Sequence, residues 1–217
     1  EVACLAGERE GTALLVEARK LGLRAHPKCR VHGLPLIASH VGGDAAASLL
    51  ALDLSPDDEE ITMLVDMGTN TEIALAGQGR LMVASCPAGP AFEGGLVRHG
   101  MASYDGAMEA VSEGADGGFQ WRTIGDAAPI GLCGSGLIDL LAVLRRSGRM
   151  NEKGALAREK GKRNAEILVA PDHGITISGQ DISHLAQAKA ASNAGQAILM
   201  RRFGVGAGDI SRLYLAG

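Results

Sequence analysis

The residues best suited to chemistry lie in one stretch, Leu64-Val65-Asp66-Met67-Gly68-Thr69-Asn70-Thr71-Glu72-Ile73. Gly68 permits a tight turn and a close ligand approach, because no Cβ stands in the way. Thr69 and Asn70 add short donors beside the turn amides, which is how a loop cradles phosphate oxygens. A buried strand ending in Asp66 puts a carboxylate beside those oxygens, where it can hold Mg²⁺ through water or orient an attacking water. On residue types alone, an ordinary hairpin whose Asp and Asn cap the turn accounts for the stretch equally well.

Two Gly-rich segments add to it. Pro129-Ile130-Gly131-Leu132-Cys133-Gly134-Ser135-Gly136-Leu137-Ile138-Asp139 runs into a helical pattern, so unpaired amides and a positive dipole end at Gly134, Ser135 and Gly136 offer an anion or nucleotide site. It is neither a Walker A loop nor a dinucleotide fingerprint, and close helix packing is the alternative use of its glycines. Ala88-Gly89-Pro90-Ala91-Phe92-Glu93-Gly94-Gly95 sets Glu93 in a second Gly-rich turn, where structural use of the glycines is at least as good a reading as ligand contact.

The elements that must hold these segments are legible as alternating apolar runs and helical patterns. Residues 2–6 and 31–37 read as strand or extended, with Pro35 keeping the latter off a central ladder, and 12–21 reads as helical. Residues 41–52, with Asp44 in the first turn, read as a helix. The acidic connector Ser55-Pro56-Asp57-Asp58-Glu59-Glu60 precedes the main domain. Strands over 61–66, 71–76 and 80–85 form a meander, the first buried on both faces. A short helix over 91–99, a hairpin of 107–112 with 119–124 and an amphipathic helix over 136–146 follow. After a polar surface excursion over 151–163 come strands at 167–169 and 175–177. A long helix then runs from Gln180 to about Phe203, started by Asp181, with Leu185, Ala188, Ala191, Ala194 and Ile198 near one stripe; a last strand covers 212–216.

Composition excludes several classes. The chain of 217 residues has 31 Gly and 34 Ala, six aromatics, and a net charge of −4 from 21 basic and 25 acidic residues. That balance gives no basic field for a nucleic-acid backbone and no stacking platform. No apolar run of about 18 residues is present to span a bilayer. Cys4, Cys29, Cys86 and Cys133 show no ferredoxin-like spacing, and the six histidines show no zinc-site spacing. Free thiols fit a reducing, cytoplasmic setting, with Cys133 read as a buried thiol rather than a cluster ligand. The chain opens mid-pattern at Glu1-Val2-Ala3-Cys4 and stops at Tyr214-Leu215-Ala216-Gly217, so it reads as a piece of something longer.

Taken in order, Asp66-Met67-Gly68-Thr69-Asn70-Thr71-Glu72, Ala88-Gly89-Pro90-Ala91-Phe92-Glu93-Gly94, Gly131-Leu132-Cys133-Gly134-Ser135-Gly136-Leu137-Ile138-Asp139, Gln180-Asp181-Ile182 with Ala188-Lys189-Ala190-Ala191, and Tyr214-Leu215-Ala216-Gly217 resemble the C-terminal region of the ATP-dependent reductive activators of corrinoid proteins. Leu34-Pro35-Leu36-Ile37 and Val41-Gly42-Gly43-Asp44-Ala45 resemble the segment before it, and Met67 and Thr71 stand where the family more often has Ile and Gly. The resemblance implies an α/β fold with a mixed sheet, a ribonuclease H-like lobe of the actin, sugar kinase and heat-shock chaperone type of ATPase. Residues 1–58 are then a remnant of the first lobe and 59–217 the second lobe. It implies ATP or ADP with Mg²⁺ as cofactors, and an iron–sulfur cluster only in a domain absent from this chain. By carry-over, Asp66 handles Mg²⁺ or water. Gly68, Thr69 and Asn70 hold phosphate, and Glu72, Gly134, Ser135, Gly136 and Gly217 lie around the nucleotide. The implied activity of a complete protein is return of an inactive Co(II) corrinoid to Co(I). Its partner would be a corrinoid protein or cobalamin-dependent methyltransferase, and a homodimer is expected. A docking or dimerisation module and a small-molecule kinase of the same fold are the alternatives.

Overall fold

A computed structural model describes residues 11–38, 40–157 and 166–217. The strand expected over 2–6, and the 158–163 part of the expected excursion, lie outside these residues. The chain divides into two compact units. The first comprises residues up to Asp66, Glu72–Ser85 and Gly195–Gly217, and the second Met67–Thr71 and Cys86–Ala194.

In the first unit, β1 (Leu14–Glu17) pairs antiparallel with β2 (Arg30–Gly33), and α1 covers Gly43–Ala51. The meander is β3 (Ile61–Met67), β4 (Thr71–Gly77) and β5 (Arg80–Cys86). These strands form one sheet with β11 (Ile210–Ala216) in the order β11-β3-β4-β5. β11 runs parallel to β3, from Ile210 opposite Ile61 to Ala216 opposite Asp66. Residues 61–65 are all buried, as an unbroken apolar run with Thr62 predicts for a strand covered on both faces. Leu49 of α1 packs with Leu64 and Ala74.

The second unit holds β6 (Ala107–Glu113), β7 (Phe119–Thr123) and β8 (Gly131–Leu132), ordered β7-β6-β8. α2 (Gly134–Arg146) and the antiparallel pair β9 (Glu166–Ala170) and β10 (Ile175–Ser178) complete it. α3 runs over Gly179–Phe203, with residues to Ala194 in this unit. Leu137, Leu140 and Leu144 of α2 recur at helical spacing and meet Ile175, Ile177 and Leu185 in the core.

Three expectations are corrected. Residues 12–21 are a strand and a 3₁₀ turn (Ala18–Leu21) closed by Gly22 at φ 71°. Leu14, Leu15 and Val16 pair with Gly33, His32 and Val31 instead, and among the 3₁₀ residues only Ala18 is buried, so a helix there would have little face to bury. Residues 91–99 form successive turns, because Gly94 (φ 85°) and Leu96 (φ 68°) are left-handed and cannot propagate a helix. In α3 the buried line leaves the expected stripe after Ala188. It continues through Ser192, Leu199 and Phe203, while Ile198 is 52% exposed. Two successive three-residue steps through Ala191 and Ala194 drift about 120° around a helix of 3.6 residues per turn, and the four-residue step to Ser192 corrects that drift.

Asp181 starts α3 as expected. Its Oδ2 accepts from the Ser178 amide (2.8 Å) and hydroxyl (2.6 Å), and its Oδ1 accepts from the Arg98 amide (2.8 Å). Burial alone would raise its pKa. The Ser178 hydroxyl, the Arg98 and Ser178 amides and the charge of His184 outweigh it and hold the pKa below the usual value. A lowered folded pKa gives stability that is present above the unfolded value of about 3.9 and lost as pH falls through the folded one. Asp181→Asn should therefore lower unfolding stability at pH 7 by about 2 kcal/mol, in the range for hydrogen bonds to a charged group. In denaturant titrations the gap between wild type and variant should narrow once the pH drops below about 4.

Candidate functional site

In the second unit, the hairpin tip of residues 67–71 is fastened to the Gly-rich turn that follows β5. The Gly89 amide donates to the Thr69 carbonyl at 2.8 Å, and the Thr69 hydroxyl donates to Glu93 Oε2 at 2.6 Å. The Gly68 amide closes the turn onto the Asn70 carbonyl at 2.9 Å. Two donors expected for phosphate, the Gly68 amide and the Thr69 hydroxyl, are thus already engaged. The Thr69 and Asn70 amides and the Asn70 side chain donate to no other described residue.

The same turn reaches the start of α2. A Cβ on Gly134 would collide with the Phe92 carbonyl oxygen, and one on Gly136 with the Met108 carbonyl oxygen. Both glycines are therefore demanded by packing, the alternative use weighed from the sequence. The Ser135 hydroxyl donates to the Glu109 carbonyl at 2.7 Å, which ties the helix start to β6. Residue by residue, the second unit brings together Gly68, Thr69, Asn70, Glu93, Gly134, Ser135 and Gly136, with Phe92 and Glu93 as the link.

Cys133, the residue before α2, is 2% exposed. Its sulfur lies 3.4 Å from the Met108 carbonyl and 3.4 Å from the Ser135 hydroxyl. Burial raises its pKa, but the Ser135 hydroxyl, the Gly136 amide, the Ser103 hydroxyl and the Ser135 amide together lower it. Among the described residues, no group of three or more His, Cys, Asp or Glu could hold a metal ion.

In the first unit, Asp66 and Glu72 border one narrow crevice with Val41, Ala45, Leu49 and Leu64. Asp66 Oδ2 accepts from the Ser48 hydroxyl at 3.0 Å, and Glu72 Oε1 from the Ser85 hydroxyl at 2.9 Å. Sequence reasoning missed Ser48. The available signal was a single hydroxyl in the otherwise small, apolar run Ala45-Ala46-Ala47-Ser48-Leu49. The register of β11 sets Ala216 opposite Asp66, with Gly217 next in the chain.

The model of the C-terminal domain of RACo, its ASKHA domain, matches residues 60–217. The chain belongs to this family. The corrinoid activation enzyme RamQ of Eubacterium limosum is 31% identical over 94% of this chain and 37% of its own length. The [Co(II) methylated amine-specific corrinoid protein] reductase of Methanosarcina barkeri is 27% identical over 98% of this chain and 44% of its own length. A solved structure, titled reductive activator for corrinoid, iron–sulfur protein, superposes with a TM-score of 0.84 at 35% identity, covering 95% of this chain and 35% of that one. The chain thus spans less than half the length of these relatives. The mixed α/β architecture expected from the motifs is the one found. No helix among the described residues is long and apolar enough to cross a membrane.

The glycines make separable predictions. A Cβ on Gly68 would stand 3.4 Å from the Asn70 carbonyl oxygen and 3.6 Å from Glu93 Oε1, which is ordinary contact. Gly68→Ala should leave stability within about 0.5 kcal/mol of wild type. Gly136→Ala, which forces a Cβ onto a backbone oxygen, should lower it by about 2 kcal/mol or more. Thermal and denaturant unfolding of the two variants side by side checks both.

Proposed function

We propose that this chain is the nucleotide-facing lobe of an activator that reduces the inactive Co(II) form of a corrinoid protein to Co(I), with ATP binding or hydrolysis coupled to that uphill step. The observation that carries the reading is the hairpin Asp66-Met67-Gly68-Thr69-Asn70, its tip clasped by Glu93, within a domain of the RACo C-terminal family. Relatives named for corrinoid activation and Co(II) corrinoid reduction support the substrate class. Residues 59–217 would be the second ribonuclease H-like lobe and 1–58 a remnant of the first. The partner would be a corrinoid protein or a cobalamin-dependent methyltransferase.

The donor and acceptor types of these residues support a magnesium nucleotide as the ligand. The free Thr69 and Asn70 amides suit phosphate oxygens, and Mg²⁺ is ordinarily held by one or two carboxylates together with substrate phosphates rather than by an all-protein cage. Asp66, steadied by Ser48, would hold the ion through water. Gly68 would leave room for the phosphate, and the family resemblance assigns Glu72, Gly134, Ser135, Gly136 and Gly217 to the nucleotide as well. The bound ion would neutralise phosphate charge and orient the nucleotide.

Calorimetric titration with Mg·ADP should give saturable one-site binding, weakened about tenfold in Asp66→Asn, the loss of one charged contact. Absence of binding by this chain and by a protein extended in both directions would overturn the nucleotide reading. With the extended protein, the Co(II) absorbance of a corrinoid partner should decay under reductant only when ATP is supplied. Decay without ATP would remove the coupling from the proposal.

A further inference from the structure

A hydroxyl has one proton, and Thr69 commits it to a hydrogen bond with Glu93 Oε2 at 2.6 Å. Thr69 Oγ1 therefore offers lone pairs only, and so does the Glu93 carboxylate. The other carboxylate oxygen, Oε1, lies 3.6 Å from the point where a Cβ on Gly68 would stand, so negative charge flanks the open side of the turn. Glu93 is fixed there by its chain neighbours. Its amide donates to the Pro90 carbonyl at 3.1 Å, and the Phe92 carbonyl is seated against Gly134. None of the ion pairs found among the described residues involves Glu93, so no described Arg or Lys is paired with its charge. Two acceptor-only groups beside the free Thr69 and Asn70 amides suit a hydrated cation next to a phosphate and oppose a bare one.

We infer that Glu93 is a specificity-determining residue that makes this loop accept the magnesium-bound form of the nucleotide and reject the metal-free form. The inference rests on the nucleotide reading above and assigns the discrimination to one side chain. Glu93 and the Thr69 lone pairs receive the protons of cation-bound water, while the Thr69 and Asn70 amides donate to the phosphate. Because the described residues contain no self-sufficient metal cluster, the cation arrives with the phosphates rather than ahead of them.

The test is a set of ADP titrations with and without Mg²⁺, the latter in chelator, on the wild-type chain, Glu93→Gln and Thr69→Val. Gln keeps an acceptor for the Thr69 hydroxyl but loses the charge. Glu93→Gln should bind metal-free ADP about fivefold more tightly than wild type, the water-screened limit for removing one unit charge about 4 Å from another. Its ratio of metal-free to magnesium-bound dissociation constants should fall by at least that factor. Thr69→Val, which keeps the charge and removes the lone pairs, should lower the ratio by weakening only the magnesium form. A ratio unchanged in Glu93→Gln, with wild type binding Mg·ADP, overturns this inference and leaves the nucleotide reading intact. Failure of both the wild-type chain and the protein extended in both directions to bind either form overturns both.

Discussion

At the start of α2, the chain approaches two carbonyl oxygens so closely that a single carbon atom more would not fit. Gly134 lies against the Phe92 carbonyl and Gly136 against that of Met108. These contacts set the helix onto β6 at a fixed height, and the Ser135 hydroxyl bond to Glu109 fixes its rotation. From that placement follow the inward line of Leu137, Leu140 and Leu144 and the position of the Phe92-Glu93 turn, which carries the clasp on Thr69. The chemistry-bearing tip is thus located by backbone packing several residues away from it, as preorganised sites require.

The carboxylates share a pattern. Asp66 accepts a hydrogen bond from the Ser48 hydroxyl, Glu72 from that of Ser85 and Glu93 from that of Thr69. Among the described residues each is held by a hydroxyl rather than by a basic side chain, so its orientation is fixed while its charge stays available. A lysine or arginine in the same places would have steadied the carboxylates equally well but cancelled the field that a cation would meet.

Much of this was readable from residue order. The unbroken apolar run before Asp66 announces a strand covered on both faces, and the glycines around Cys133 announce a tight entry to a helix. Five ordered motifs also pointed to the family that the 60–217 match then showed. What was not readable depended on long-range pairing or on backbone angles. Ser48 is an ordinary helix residue until folding brings it to Asp66, 18 positions away. Residues 91–99 carry helix-compatible side chains, but Gly94 and Leu96 take left-handed angles that only the packed loop enforces. The α3 stripe missed its four-residue correction because small alanines on every side blur the contrast between buried and exposed faces.

The pairing of β11 with β3 joins residues about 150 positions apart, Ile210 with Ile61 and Ala216 with Asp66. Most of the second unit, by contrast, is one continuous stretch, Cys86–Ala194. During synthesis that stretch is complete while β3 still lacks its parallel neighbour, so the neighbourhood of Asp66 is finished only once residues 210–216 have been made. Loop closure over that separation is slow compared with local pairing. The order of assembly is therefore written into the topology, with the carboxylate strand left open on one edge until translation of this region ends.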